Sequence, residues 1–214
     1  MTGMTRAFWA ANSNDMKKNL IINIGRQFGS GGKDIALQLG QLLGIPVYDK
    51  ELIAQAAQDS GFSKELFENM DEKKNFFSAF SIEFENFVND SGLFKIQSET
   101  IMNIAAQGPA IIVGRCSDYI LRDYDNTVDV FITAPVEDRI ARTMEKEQLD
   151  EAEAATLVGK KDRQRESYYN YYTFGNWGTA SNYDLCIDSS ILGIKGTAEL
   201  LAHYIRTVKE QREA

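Results

Sequence analysis

The sequence predicts an α/β protein: one parallel sheet with helices on both faces, three layers in all. Three observations predict it. Short apolar runs rich in β-branched residues recur at 20–24, 110–113 and 128–132, continuous in the manner of strands buried on both faces. Helical periodicity fills the intervals between them, the alternation that pairs strands in parallel through crossovers. The first run also feeds a glycine-rich turn that opens a helix and leads to a second strand, a βαβ unit.

The elements follow in order. Residues 1–18 mix Asn, Ser, Thr and Ala around Phe8 and Trp9, with no apolar signal core, and read as a flexible extension before one domain over 19–214. Leu20-Ile21-Ile22-Asn23-Ile24 is the first strand, ended by Gly25. Beyond the glycine-rich turn, Ile35, Leu39, Leu42 and Leu43 fall on one helical face. Gly44 stops that helix and Pro46 prevents its resumption. Val47-Tyr48 is a short second strand, closed by Asp49.

From Lys50 to about Gln107 the pattern is helical, with one helix marked by Leu52, Ile53, Ala56 and Ala57, five Phe within 76–87, and another helix from Ile96 to Ala106. Ala110-Ile111-Ile112-Val113 reads as a strand followed by Gly114-Arg115, and Val128-Asp129-Val130-Phe131-Ile132 as the next. Pro135 suits the first turn of the helix after it, with Glu137 and Asp138 where a helix N-terminus favours negative charge. Residues 145–182 are the most polar stretch. A last strand at 183–188 precedes a C-terminal helix from about Ile194.

Composition narrows the function classes. A chain of 214 residues with 43% hydrophobic and 25% charged residues is long enough to bury its own core. Its formal charge of −8 argues against a general phosphate-backbone binder, which needs clustered Lys and Arg, so no nucleic-acid partner is expected. No run approaches the length of a membrane span. Cys116 and Cys186 stand far apart with no CxxC, and His203 is the sole histidine, so neither a disulfide framework nor a His-rich metal site is expected. The default is a cytoplasmic, reduced protein.

The chemistry gathers in Arg26-Gln27-Phe28-Gly29-Ser30-Gly31-Gly32-Lys33-Asp34. A strand feeding such a turn into a helix is an anion site: backbone N–H groups converge, and the helix dipole favours negative charge. The fit to GxxxxGK[ST] is imperfect, with Gln27 at the first glycine and Asp34 where Ser or Thr would hold Mg²⁺. The rival reading, a dinucleotide fold with Gly29-x-Gly31 and Asp49 some twenty residues on, puts a charged Asp34 at the third glycine. The chain also lacks any Tyr-x-x-x-Lys. Phosphate transfer is the better reading.

Phosphoryl transfer needs cations around both phosphates. Arg115 follows a buried strand and Gly114, at the end of the sheet where α/β folds put ligands. Arg139 and Arg142 share a helix face, and Lys160, Lys161, Arg163 and Arg165 cluster in the polar stretch. These two segments read as a lid that closes a basic pocket. The aromatic run from Tyr168 to Trp177 reads either as core or as a stacking surface.

Several motifs together then resemble the cytidylate kinase-like proteins, a divergent branch of the nucleoside monophosphate kinases in the P-loop fold. They are Phe28-Gly29-Ser30-Gly31-Gly32-Lys33, Gly44-Ile45-Pro46-Val47-Tyr48-Asp49, Ile112-Val113-Gly114-Arg115, Asp162-Arg163-x-Arg165 with Tyr168-Tyr169 and Trp177-Gly178, and Asn182-Tyr183-Asp184-Leu185. The resemblance implies a nucleotide-acceptor insertion at about 50–107 and a lid at about 145–180. It implies that Gly29, Ser30, Gly31, Gly32, Lys33 and Asp34 surround the phosphates of ATP, which would carry Mg²⁺. Arg115 is then expected to grip the acceptor phosphate, with Asp49, Asp118, Arg139 and Arg142 also on the substrate. Lys33, Arg163 and Arg165 are expected to neutralise the transferring group.

The sequence departs from cytidylate kinases in two places. Cys116 follows Gly-Arg where they have Asp, with Asp118 two further on, and the loop ends Gly-Lys-Asp-Ile. The implied activity is transfer of the ATP γ-phosphate to a nucleoside monophosphate, CMP or dCMP first. The alternatives are a different small phosphate acceptor, or nucleotide binding without turnover. On an acidic chain, positive charge is expected in one cleft.

Overall fold

The computed structural model describes residues 19–59 and 91–213. The expected extension at 1–18 and the phenylalanine-rich segment at 76–87 lie outside the described residues.

Five strands form one parallel sheet in the order β2-β3-β1-β4-β5: β1 (Ile21–Arg26), β2 (Val47–Tyr48), β3 (Ala110–Val113), β4 (Thr127–Thr133) and β5 (Leu185–Asp188). β1 is central. Ile24 is level with Val113 on one side and Val130 on the other. The loop after β1 therefore leaves from the middle of the sheet's carboxyl edge, where α/β folds bind ligands.

Alternation along the strands divides the core into two layers. Ile22 and Ile24 pack with Ile111, Val113, Val128 and Val130 against Ile35 and Leu39 of α1 (Gly32–Leu43) and Leu201 and Ile205 of α7 (Ser189–Glu213). Ile21 and Ile112 face the other way. They meet Ile53, Ala54 and Ala57 of α2 (Lys50–Asp59), Ile101, Ile104 and Ala105 of α3 (Ser91–Gln107), and Leu121 just beyond α4 (Ser117–Ile120). The three layers and the parallel sheet expected from the sequence are present.

Three elements differ from expectation in detail. Pro135 is the N-cap of α5 (Val136–Glu147), one residue before its first turn, with Glu137 and Asp138 inside that turn. The charged stretch at 145–182 holds one 23-residue helix, α6 (Glu151–Thr173), started by a reciprocal cap between Asp150 and Glu153. It carries no apolar stripe because much of the face it turns to the protein lies over a polar cleft. The C-terminal helix runs on from Ile194 as expected, but a short helical turn from Ser189 precedes it across a break at Gly193 (φ 64°). Among the described residues no helix is long and apolar enough to cross a membrane.

Candidate active site

The glycine loop is built to expose its backbone. Gly29 (φ 76°) and Gly31 (φ 77°) both lie in the left-handed region, where side chains are disfavoured. A Cβ at Gly29 would stand 2.6 Å from the carbonyl oxygen of Arg139. Gly31 caps α1 without a side-chain hydrogen bond, so the first N–H groups of that helix keep their donors for a ligand. Gln27 holds the loop to β4: its Oε1 accepts from the Thr133 hydroxyl and from the N–H of Ala134, at 3.3 Å in the second case. Ser30 is buried, donates to the Gln27 carbonyl at 2.9 Å, and its own carbonyl accepts from Ser189 at 2.6 Å. Its side chain belongs to the wall of the loop, while its neighbours Gly29 and Gly31 face the cleft.

Behind the loop, Arg139 is 7% exposed. It donates from Nε to the Ala134 carbonyl at 3.1 Å, from Nη1 to the Phe28 carbonyl at 3.2 Å, and pairs with Asp162 of α6 at 2.5 Å. The other Asp162 oxygen accepts from the Phe28 N–H at 2.7 Å. One carboxylate thus ties the loop, α5 and α6 together. Arg142, one turn along α5, donates to the Gly29 carbonyl from the cleft side.

Across the cleft, three successive residues at the end of β3 are left-handed: Gly114 (φ 73°), Arg115 (φ 62°) and Cys116 (φ 55°). For Arg115 and Cys116 this costs of order 1 kcal/mol each, strain of the kind that gathers at ligand sites. The turn is held by Gln97 of α3, whose Nε2 donates to the Arg115 carbonyl at 2.9 Å while its Oε1 accepts from Tyr168 of α6 at 3.0 Å. Phe94 of α3 stacks on Tyr172 of α6 with centroids 4.0 Å apart. The aromatic run of α6 therefore joins that helix to α3.

These parts enclose a cleft of about 380 Å³ whose lining holds eight Lys and Arg against four Asp and Glu, on a chain of net charge −8. Lys33 bonds Asp49 at 2.6 Å and lies 3.7 Å from Glu51. The hydrogen bond to Asp49 holds the Lys33 ammonium above its ordinary value. Burial pushes the Asp49 carboxyl up, but the bonds from Lys33 and the Leu52 N–H outweigh it and hold it below the usual range. Burial and the nearby cations Lys50 and Arg165 push Lys161 down. Burial lowers Arg165 to about 10, with Arg115 and Arg139 adding to it and Asp162 opposing.

Gly29, Gly31, Gly32, Lys33, Asp34, Asp49, Arg115, Arg142 and Arg165, all singled out from the sequence, line this one cleft. Arg163 does not. It is exposed and lies back along α6, its Nη1 3.3 Å from where a Cβ of Gly159 would be. Asp118 lines a smaller, neighbouring cavity, where it accepts from Tyr169 at 2.7 Å and burial pushes its carboxyl up.

Sequence reasoning misses Arg26, although its signal is in plain view. Ile24-Gly25-Arg26 and Val113-Gly114-Arg115 end neighbouring strands in register, so two strand–Gly–Arg turns stand side by side. It also leaves Asp162 without a role, although a carboxylate at that spacing from Arg165 shares its helix face.

Asp34 faces the cleft with its carboxylate 3.3 Å from Lys146. Among the described residues no group of three His, Cys, Asp or Glu is placed to hold a metal. A hard oxygen at Asp34 suits Mg²⁺, which takes one or two carboxylates and completes its shell with phosphate and water.

The sequence matches the model of the cytidylate kinase-like family over residues 21–191. The chain belongs to that family. A crystal structure of an uncharacterized protein from Eubacterium ventriosum is similar at 29% identity and a TM-score of 0.69, covering 87% of this chain and 98% of that one. At 11% identity the chain shares its fold with a shikimate kinase from Bacteroides thetaiotaomicron (TM-score 0.53, 87% of this chain, 98% of that one). A gluconokinase from Sinorhizobium meliloti is similar at 10% identity (TM-score 0.51, 90% and 97%). No curated protein matches the sequence. The family is kinase-like and its fold is that of P-loop kinases.

Proposed function

We propose that this cytidylate kinase-like protein transfers the γ-phosphoryl group of ATP to a small phosphate acceptor, a nucleoside monophosphate with CMP and dCMP first. One observation carries the reading: a phosphate-cradling loop with Lys33 and a strained Arg115 turn face each other across a single basic cleft. The loop and the start of α1 hold the donor phosphates, with Arg142 at their flank. Lys33 moves from Asp49 to the transferring group, and Arg165 offsets charge as it develops. The acceptor phosphate is already an anion and needs no general base. Mg²⁺ bound with ATP would be held by Asp34 and supplies charge neutralisation between the donor phosphates.

A coupled assay over CMP, dCMP, UMP and AMP, wild type beside Lys33→Ala, tests this. Turnover of at least one acceptor, falling about 10²–10³-fold in the variant, is expected. Lack of turnover on every acceptor sinks the reading. The Asp34–Lys146 pair at the hydroxyl position of the usual motif favours a second reading, nucleotide binding without transfer. Calorimetry showing ATP binding indifferent to Mg²⁺, with no turnover, would select it.

A further inference from the structure

We propose that Arg26 is a selectivity residue of the acceptor site. With Arg115 and Arg165 it forms a three-guanidinium cradle that takes a dianionic phosphate monoester and discriminates against a carboxylate. The inference rests on the phosphotransfer reading and deepens it.

The placement of Arg26 is built in from two sides. A Cβ at Gly32 would stand 2.7 Å from Cβ of Arg26, and a Cβ at Gly114 would run into its Nη1. Two glycines, one at the start of α1 and one after β3, clear the path of a single side chain. The register of β1 on β3 sets Gly25-Arg26 beside Gly114-Arg115. Arg165 joins from α6, donating to the Arg26 carbonyl at 3.0 Å with its guanidinium 5.4 Å from the Phe28 ring centroid.

Arg26 makes no ion pair among the described residues. Its nearest acidic influences, Asp49 and Glu51, are held by Lys33. Burial, then Arg165 and Arg115, lower the Arg26 guanidinium well below its ordinary value. On their far side Arg26 and Arg165 line a small cavity of about 40 Å³ with Tyr168, Tyr169 and Trp177.

Three guanidiniums that repel one another are relieved best by a ligand with two charges and three oxygens. A phosphate monoester offers an oxygen to each. A carboxylate offers one charge and two coplanar oxygens, enough for one bidentate fork.

Calorimetric titration with inorganic phosphate, acetate and a non-hydrolysable ATP analogue, on wild type, Arg26→Gln, Arg26→Lys and Gly114→Ala, tests the cradle. Wild type should prefer phosphate to acetate. Arg26→Gln should weaken phosphate about 10- to 100-fold and narrow that preference, while the ATP analogue changes less than about twofold. Gly114→Ala should act likewise by displacing the guanidinium with its charge retained, and Arg26→Lys should fall between. If Arg26→Gln does not fold, the other two variants decide.

Unchanged phosphate affinity in the variants overturns the proposal, as does an equal loss for the ATP analogue, which would put Arg26 on the donor side. The two readings fail separately. Phosphate binding through Arg26 without any turnover removes the kinase and leaves the cradle. Turnover on CMP with its KM unchanged in Arg26→Gln does the reverse.

Discussion

Arg139 and Arg26 lie against the same loop and do opposite things. Arg139, behind it, gives Nε and Nη1 to two carbonyls and the Asp162 carboxylate. Arg26, in front, has guanidiniums for neighbours and glycines for walls. A buried cation tied to backbone carbonyls and a carboxylate is scaffold, because removing it strands its partners. A cation kept among like charges costs the fold stability and persists only where a ligand completes it. The contrast separates Arg139, which holds the loop, from Arg26, which faces like charges.

The sharpest way to break that division is to exchange the roles. Arg115→Ala, on the ligand side, should lower kcat/KM for the acceptor by about 10²–10³-fold and leave the melting temperature within about 2 °C. Arg139→Met should do the converse. It leaves the half-buried Asp162 with the Phe28 N–H but without its cation, which costs about 2–3 kcal/mol and lowers the melting temperature by roughly 4–12 °C. Thermal melts beside steady-state kinetics on both variants decide. An Arg139→Met protein that melts like wild type would remove Arg139 from the scaffold class.

Much of this is legible in the amino-acid sequence. Continuous apolar runs mark the strands, and Gly29, Gly31, Lys33 and Arg115 follow from strand–turn–helix logic that depends only on neighbours along the chain. Partnership is not legible. Arg139 and Arg142 look alike on a helical wheel, yet α6 delivers Asp162 to one and not the other. Arg163 and Arg165 differ by two positions, and a helix rotates the first into solvent and the second into the cleft. Arg26 is hidden for another reason. Its importance comes from the register between β1 and β3, a pairing across 89 residues that no local pattern reports.

A smaller test concerns the support of the loop. Ser189, at the start of α7, donates to the carbonyls of Ser30 at 2.6 Å and Thr133 at 3.2 Å. Ser189→Ala strands a buried Ser30 carbonyl and should cost about 1–2 kcal/mol. Because it acts on loop geometry, the KM for ATP should rise more than the KM for the acceptor. Equal rises in both would mean that Ser189 steadies the whole cleft rather than the donor loop.

The last effect lies away from the cleft and tests whether acidic residues obey the same division. Asp129 on β4 accepts from Asn23 at 2.7 Å, with Asp118 and Asp184 nearby and Arg212 opposing them. Burial raises its carboxyl to about 6, the Asn23 bond working against the rise. The folded state therefore holds a proton here that the unfolded chain has lost by about pH 4. The stability that this proton contributes is complete below about pH 4 and is lost as pH rises through 6, up to about 2–3 kcal/mol. Asp129→Asn has no such titration. Denaturant unfolding of both proteins from pH 4 to 8 should show wild type falling relative to the variant across that window and level above it. Parallel profiles would mean that Asp129 is partnered well enough to stay ionised in the folded protein.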